Sequence, residues 1–200
     1  MIKNIIFDLA GVVLNLNLER DTAALVAAGL PDYVTCLQNP ALKKVLEGFL
    51  NGLTSQEVFL QDIRPFCKSG VTEEEILWAM NAVLDDIPRA RIERIIALKK
   101  RYKVYLLSNI YDTAWEHAVR QIEKSGYQVS DLFHETFLSY EMQLAKPDPR
   151  IFQEVIRATG LIPQETVYYD DTRENIERGN SLGFHSVLVP MNRLEICLED

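Results

Sequence analysis

The sequence predicts an α/β fold, a parallel sheet flanked by helices, with a purely helical segment inserted behind the first strand. Three observations carry this. Short apolar runs alternate with helix-period segments along most of the chain, and the best of these runs end in polar or acidic residues. Residues 18–85 contain helical patterns and no convincing strand. Alternation of strand and helix calls for crossover connections, which lay the strands parallel and place helices on the sheet faces.

The first run, residues 2–7, stops at Asp8; later runs occupy 104–107, 166–169 and 186–189, with a weaker fifth at 136–138. Compact runs of this kind suit strands covered on both faces. Helical periodicity fills 92–101, 113–124, Pro149–Thr159 and 174–182, and Gly160 and Gly183 fall where helices stop. Within the insertion, helix-like stretches cover 40–51, 55–66 and 72–84. Thr54 with Glu57, and Thr72 with Glu75, have the spacing of capping boxes. The chain rejoins its alternating pattern near Pro88. The expected division is a core of residues 1–17 and 86–200, with 18–85 as a helical insertion.

Two hundred residues are enough to bury a core. Hydrophobic residues at 48% and charged residues at 25% describe a folded globular chain. A net charge of -8 without a long basic run argues against nucleic acid as a partner, yet a locally positive pocket can still take a small phosphorylated ligand. Cys36, Cys67 and Cys197 are odd in number and widely spaced, as expected of buried thiols in a reducing compartment. Lys3 before an apolar run imitates a signal peptide, but Asp8 interrupts it and no cleavage pattern follows. No stretch has the length of a membrane span, so a cytoplasmic location is expected.

The chemistry-bearing residues lie at strand ends. Ligands bind at the carboxyl edge of parallel sheets, so Asp8 projects into the expected crevice; it can attack phosphorus, bind a metal, or simply end a strand. Ser108 and Asn109 end the second run, as phosphoryl hydrogen-bond donors or as ordinary turn residues. Lys146 stands before Pro147-Asp148-Pro149, a fixed cation or a surface lysine before a helix. Asp170 and Asp171 repel one another unless a cation relieves them, and magnesium suits such oxygen ligands; they can instead cap the helix near Thr172. Tyr111, Asp112 and Trp115 follow Asn109 and fit packing roles better than a pocket.

In order along the chain, FDLAGVV, LLSN, KPDPRIF and YYDDTRENI resemble the four motifs of the haloacid dehalogenase superfamily. The resemblance spans the core and implies a Rossmann-like sheet with a helical cap entering after the first motif. The phosphatases acting on sugar phosphates such as glucose 1-phosphate are the branch it resembles most. It implies a magnesium-dependent hydrolase of a small phosphorylated metabolite, with Asp8 as nucleophile and metal ligand. Ser108, Asn109 and Lys146 would then bind the phosphoryl group, with Lys146 bridging it to Asp8. Asp171 and the backbone oxygen of Ala10 would complete the metal site, with Asp170 as a further ligand or a supporting acid, and Asn175 would orient Asp171 or simply solvate its helix. The sequence departs from the family pattern at Ala10, where most phosphatases of the family carry an acid/base aspartate. The sugar-phosphatase branch often carries glycine there. Phosphonate-cleaving relatives carry alanine but need a cap lysine; Lys43, Lys44 and Lys68 lie in the insertion, yet their pairing and spacing suit ordinary solvated helix charges. Haloacid dehalogenases also lack the aspartate but need no metal, and a catalytically weak binding protein is a fourth reading.

Overall fold

The computed structural model describes residues 1–196, so Cys197 lies outside the described residues. Strand β1 (Asn4–Phe7) is followed by five helices: α1 (Leu18–Ala27), α2 (Tyr33–Cys36), α3 (Pro40–Leu50), α4 (Gln56–Ile63) and α5 (Glu73–Asn81). The remainder alternates through α6 (Arg89–Lys99), β2 (Lys103–Ser108), α7 (Asp112–Lys124), α8 (Val129–Leu132), β3 (Glu135–Leu138) and α9 (Ser139–Met142). It ends with α10 (Pro149–Thr159), β4 (Thr166–Asp170), α11 (Arg173–Ser181) and β5 (His185–Leu188). The sheet has five strands in the order β3-β2-β1-β4-β5, and every pairing is parallel.

Successive side chains of a strand point to opposite faces, and the sheet sorts its residues accordingly. Ile5 and Phe7 join the larger core beneath α6 and α7, whereas Ile6, Tyr105, Leu107 and Tyr168 pack with Ile151, Phe152 and Val155 of α10. The strand expected at 186–189 departs from the expectation of cover on both faces. β5 starts one residue earlier and is largely exposed, because it is an edge strand with a neighbour on one side only.

The insertion contains α1 and α2 beyond the stretches its periodicity indicated. Thr72 and Glu75 form the expected capping box on α5. Thr54 does not cap α4; Ser55 does, accepting from the Val58 amide at 3.3 Å, because the helix begins one residue later than the Thr54–Glu57 spacing implied. The insertion's two connections pair with each other: Asn15 and Asp86, Asp85 and Asn15, and Asn17 and Val83 exchange backbone bonds of 2.8–2.9 Å. Arg91 on α6 pins the incoming connection, donating to the Val13 carbonyl at 2.8 Å and the Asn15 side chain at 2.9 Å. Phe49 of α3 stacks on Phe59 and leans on Tyr111, joining the insertion to the loop after β2. Cys36 is buried and Cys67 half-buried, so the expectation of buried thiols fails for Cys67. Among the described residues, no helix is long and apolar enough to cross a membrane.

Helix α11 lies tightly on β4 and β5 through Gly179. A β-carbon there would sit 2.4 Å from the Ser186 hydroxyl and 2.9 Å from the Tyr168 ring. Gly179→Ala should therefore force a shift of the helix and lower stability by about 1–3 kcal/mol. Urea denaturation of the two proteins checks this; equal midpoints with equal slopes would show that the contact is loose.

Candidate active site

The polypeptide reverses direction across the sheet between β1 and β4, since β2 and β3 build outward on one side and β4 and β5 on the other. Such a switch point leaves a crevice at the carboxyl ends of the strands. Asp8 follows β1 there and Asp170 ends β4, with Asp171 next in the chain. One ligand oxygen from each of Asp8, Asp170 and Asp171 can be chosen so that all lie within 4.8 Å of one another.

Lys146 enters this group from the segment before α10. Its ammonium lies 2.9 Å from Asp8 Oδ1 and 2.7 Å from Asp170 Oδ2, and donates to the Leu107 carbonyl at 2.9 Å. Burial alone would lower its pKa, but Asp170 and Asp8 outweigh burial and raise it, so the ammonium stays charged. The Asn109 side chain fixes the lysine backbone from both sides, accepting from the Lys146 amide at 2.8 Å and donating to its carbonyl at 2.9 Å.

Asp170 is fully buried and its acceptor capacity is filled. Oδ1 accepts from the Thr172 amide at 2.8 Å and the Asn175 amide at 3.0 Å; Oδ2 accepts from Lys146 and from the Tyr168 hydroxyl. Asn175 therefore orients Asp170, not Asp171 as its helical spacing suggested: its two contacts, at 3.0 and 3.2 Å, both fall on Asp170. Tyr168 escaped the sequence reading, although its position two residues before Asp170 places both on one face of the strand.

Asp8 and Asp171 are differently situated. Both contacts of Asp8, from Lys146 and from the Leu9 amide at 2.7 Å, fall on Oδ1. Burial raises its pKa to about 7, with Asp170 and Asp171 adding to the rise against the pull of Lys146. Burial, then Asp170, also raises Asp171. Three carboxylates around a single ammonium leave an excess of negative charge that a hard divalent cation would neutralise. Gly11 makes room: with φ at +75°, it occupies a turn where a β-carbon would sit 2.3 Å from Asp171 Oδ2. The Ala10 carbonyl takes no part in that turn's hydrogen bonds. The donor set thus fits magnesium.

The cleft above these groups is lined by Asp8, Ala10, Asn109, Lys146, Asp171 and Asn175, together with Tyr33, Glu47 and Asn51 from the insertion. Nothing in the sequence marked the last three, since contact across the cleft depends on how the insertion folds back. Ser108 is fully buried and absent from the lining. Lys43, Lys44 and Lys68 are exposed and also absent from it, which removes the geometric basis for a lysine-dependent cleavage. Tyr111 is buried, and its hydroxyl donates to the Met80 carbonyl at 2.8 Å.

A carboxyl whose pKa is raised on folding favours the folded state at low pH, and that contribution disappears as the pH rises from about 4. For Asp8 the loss is complete above about 7. In buffer free of divalent cations, Asp8→Asn should therefore gain stability relative to the parent between pH 5 and pH 8, by on the order of a few kcal/mol. Urea midpoints at the two pH values measure it, and a difference that does not change with pH would contradict the electrostatics described here.

Comparison with known proteins agrees with this geometry. The chain is 30% identical over 187 residues to the D-ribitol-5-phosphate phosphatase of Bacteroides thetaiotaomicron, covering 93% of this chain and 91% of that protein. A crystal structure of a HAD family enzyme from the same organism superposes with a TM-score of 0.87 at 32% identity, over 96% of this chain and 95% of that one. The same enzyme in complex with magnesium and inorganic phosphate gives 0.82 at 32% identity, with 96% of each chain covered. A HAD-like family hydrolase of Porphyromonas gingivalis gives 0.84 at 30% identity, over 96% and 92%. The family model for haloacid dehalogenase-like hydrolases matches residues 2–183. With its parallel sheet, strand-end carboxylates and buried lysine, the chain belongs to the haloacid dehalogenase-like hydrolase family.

Proposed function

We propose that the protein is a magnesium-dependent phosphatase that hydrolyses a small phosphate monoester through an aspartyl-phosphate on Asp8. The observation that carries this reading is the arrangement of Asp8, Asp170 and Asp171 around Lys146 at the sheet's switch point. Complexes of a relative with magnesium and phosphate support it. Residues 1–17 and 86–200, of which 197–200 lie outside the described residues, make up the catalytic core in this reading and 18–85 the cap, with the paired connections as the junction between them.

In this reading, Asp8, Asp171 and the Ala10 carbonyl would hold the metal, because the oxygens of Asp170 are already engaged. Bound magnesium would neutralise the phosphoryl oxygens and orient them. Asp8 attacks phosphorus: a bond forms from its carboxylate oxygen and the bond to the leaving alcohol breaks. Lys146 stabilises the charge that develops, held in place by Asp170 and Asn109. Water then attacks the same phosphorus, the Asp8 ester bond breaks, and phosphate leaves. Asn109, at the rim of the cleft with its amide engaged by Asn51 and Lys146, positions Lys146 for the phosphoryl group, and Ser108 lies buried beneath it. The cap excludes water from the reaction.

Hydrolysis of phosphate esters should require magnesium and vanish in chelator, and Asp8→Asn should lose on the order of 10⁴–10⁶ in turnover. A panel of sugar, polyol and aryl phosphates, with mass spectrometry of trapped enzyme, tests both. Full activity in chelator with halide release from a 2-haloacid would identify a dehalogenase. Binding without turnover of any ester would identify a binding protein.

Ala10 offers no proton to the leaving alcohol, so esters of acidic alcohols should react faster than simple alkyl esters. Ala10→Asp should accelerate alkyl phosphates more than aryl phosphates, by up to roughly 10²–10⁴. An unchanged ratio in single-turnover measurements would mean that a different group supplies the proton.

A further inference from the structure

Beside the cleft lies a second, larger cavity of about 530 Å³, enclosed between the insertion and the loop after β2. Its wall is hydrocarbon for most of its extent, with Leu25, Leu46, Leu50, Met80, Leu84 and Ile110 contributing from separate segments of the chain. The polar groups that border it are mostly committed elsewhere. The Tyr111 hydroxyl donates to Met80, and the Asp32 carboxylate accepts from the Thr35 amide at 3.1 Å and its hydroxyl at 2.7 Å. Asn109 spends its amide on Asn51 and Lys146. Asp21, half-buried with its carboxyl pushed up by burial, and the side chains of Thr22 and Tyr33 make up the rest of its polar border.

This chamber adjoins the cleft that holds Asp8. Ala10, Leu16, Tyr33, Leu50 and Asn109 line both. Ala10 stands at the junction, two residues after the nucleophile, where its methyl group extends the apolar wall towards the reacting centre.

We infer that the chamber receives the hydrocarbon body of the leaving group, so that the substrate is a phosphate monoester of an aliphatic or aromatic alcohol. The inference rests on the phosphatase reading above and specifies its substrate class. A cavity of this size is typical of small-molecule sites, and an apolar one gains from each methylene moved into it from water. A polyol chain carries a hydroxyl on every carbon. Here those hydroxyls would lose water and find few partners, which is unfavourable. The preference therefore differs from that named for the D-ribitol-5-phosphate phosphatase relative.

A series of n-alkyl phosphates from ethyl to octyl tests this with magnesium present, because leaving-group acidity barely changes along it. The specificity constant should rise roughly two- to fourfold per methylene until the chamber is full, and pentyl phosphate should exceed D-ribitol 5-phosphate. Ala114→Leu, at a buried position in the chamber wall, should shorten the chain length at which the rise stops. A thermal midpoint verifies that this variant is folded, and the wild-type series stands without it. A flat series, a preference for the polyol ester, or an unmoved plateau in folded Ala114→Leu would overturn the inference. Calorimetric binding of n-alkylphosphonates to the wild-type protein separates it from the phosphatase reading. If no ester is hydrolysed but affinity rises with chain length, the chamber assignment stands and the phosphatase reading falls. Affinity independent of length would overturn the chamber assignment.

Discussion

One buried ammonium organises the active face. Lys146 touches groups from three sheet strands at once: Asp8 after β1, Asp170 at the end of β4 and the Leu107 carbonyl of β2. A charge removed from water is tolerated only when it is paired and hydrogen-bonded, and Lys146 makes all three contacts. The same contacts tie the sheet's central strands together at their carboxyl ends. Asn109, Asn175 and Tyr168 can be understood as the shell that this ion cluster requires. Each either holds the lysine backbone or saturates an oxygen of Asp170.

This division of labour separates two carboxylates that are adjacent in sequence. Asp170 faces inward and serves the lysine. Asp171, half-buried against the Gly11 turn, keeps its carboxylate directed at the cleft side. A pair of neighbouring acids thus resolves into an anchor and an available ligand because consecutive residues at a strand end face different ways.

The core was legible in the sequence because its signals are local. A buried parallel strand must be a short apolar run, and Pro149–Thr159, between an Asp148 cap and Gly160 in the left-handed region, carries both of its own boundaries. The strand-end residues were legible for the same reason. What the sequence concealed depends on tertiary contact. Asn175 turns to Asp170 because of where α11 lies on β4, and Tyr33, Glu47 and Asn51 meet the cleft only through the packing of the insertion. Helix α1 also escaped the sequence reading; Ala24 and Leu25 are its buried residues. The apolar chamber is assembled from distant segments, none of which is unusual alone.

The paired connections at residues 15–17 and 83–86 have a consequence for how such a protein diversifies. By holding both ends of the insertion together, they make the intervening chain a closed excursion whose entry and exit are already fixed. Loop-closure entropy grows only logarithmically with length, so residues added to or removed from the excursion perturb the sheet little. Changes in the insertion are thereby kept apart from the strands that carry Asp8, Asp170 and Asp171, with the neck as the boundary between them.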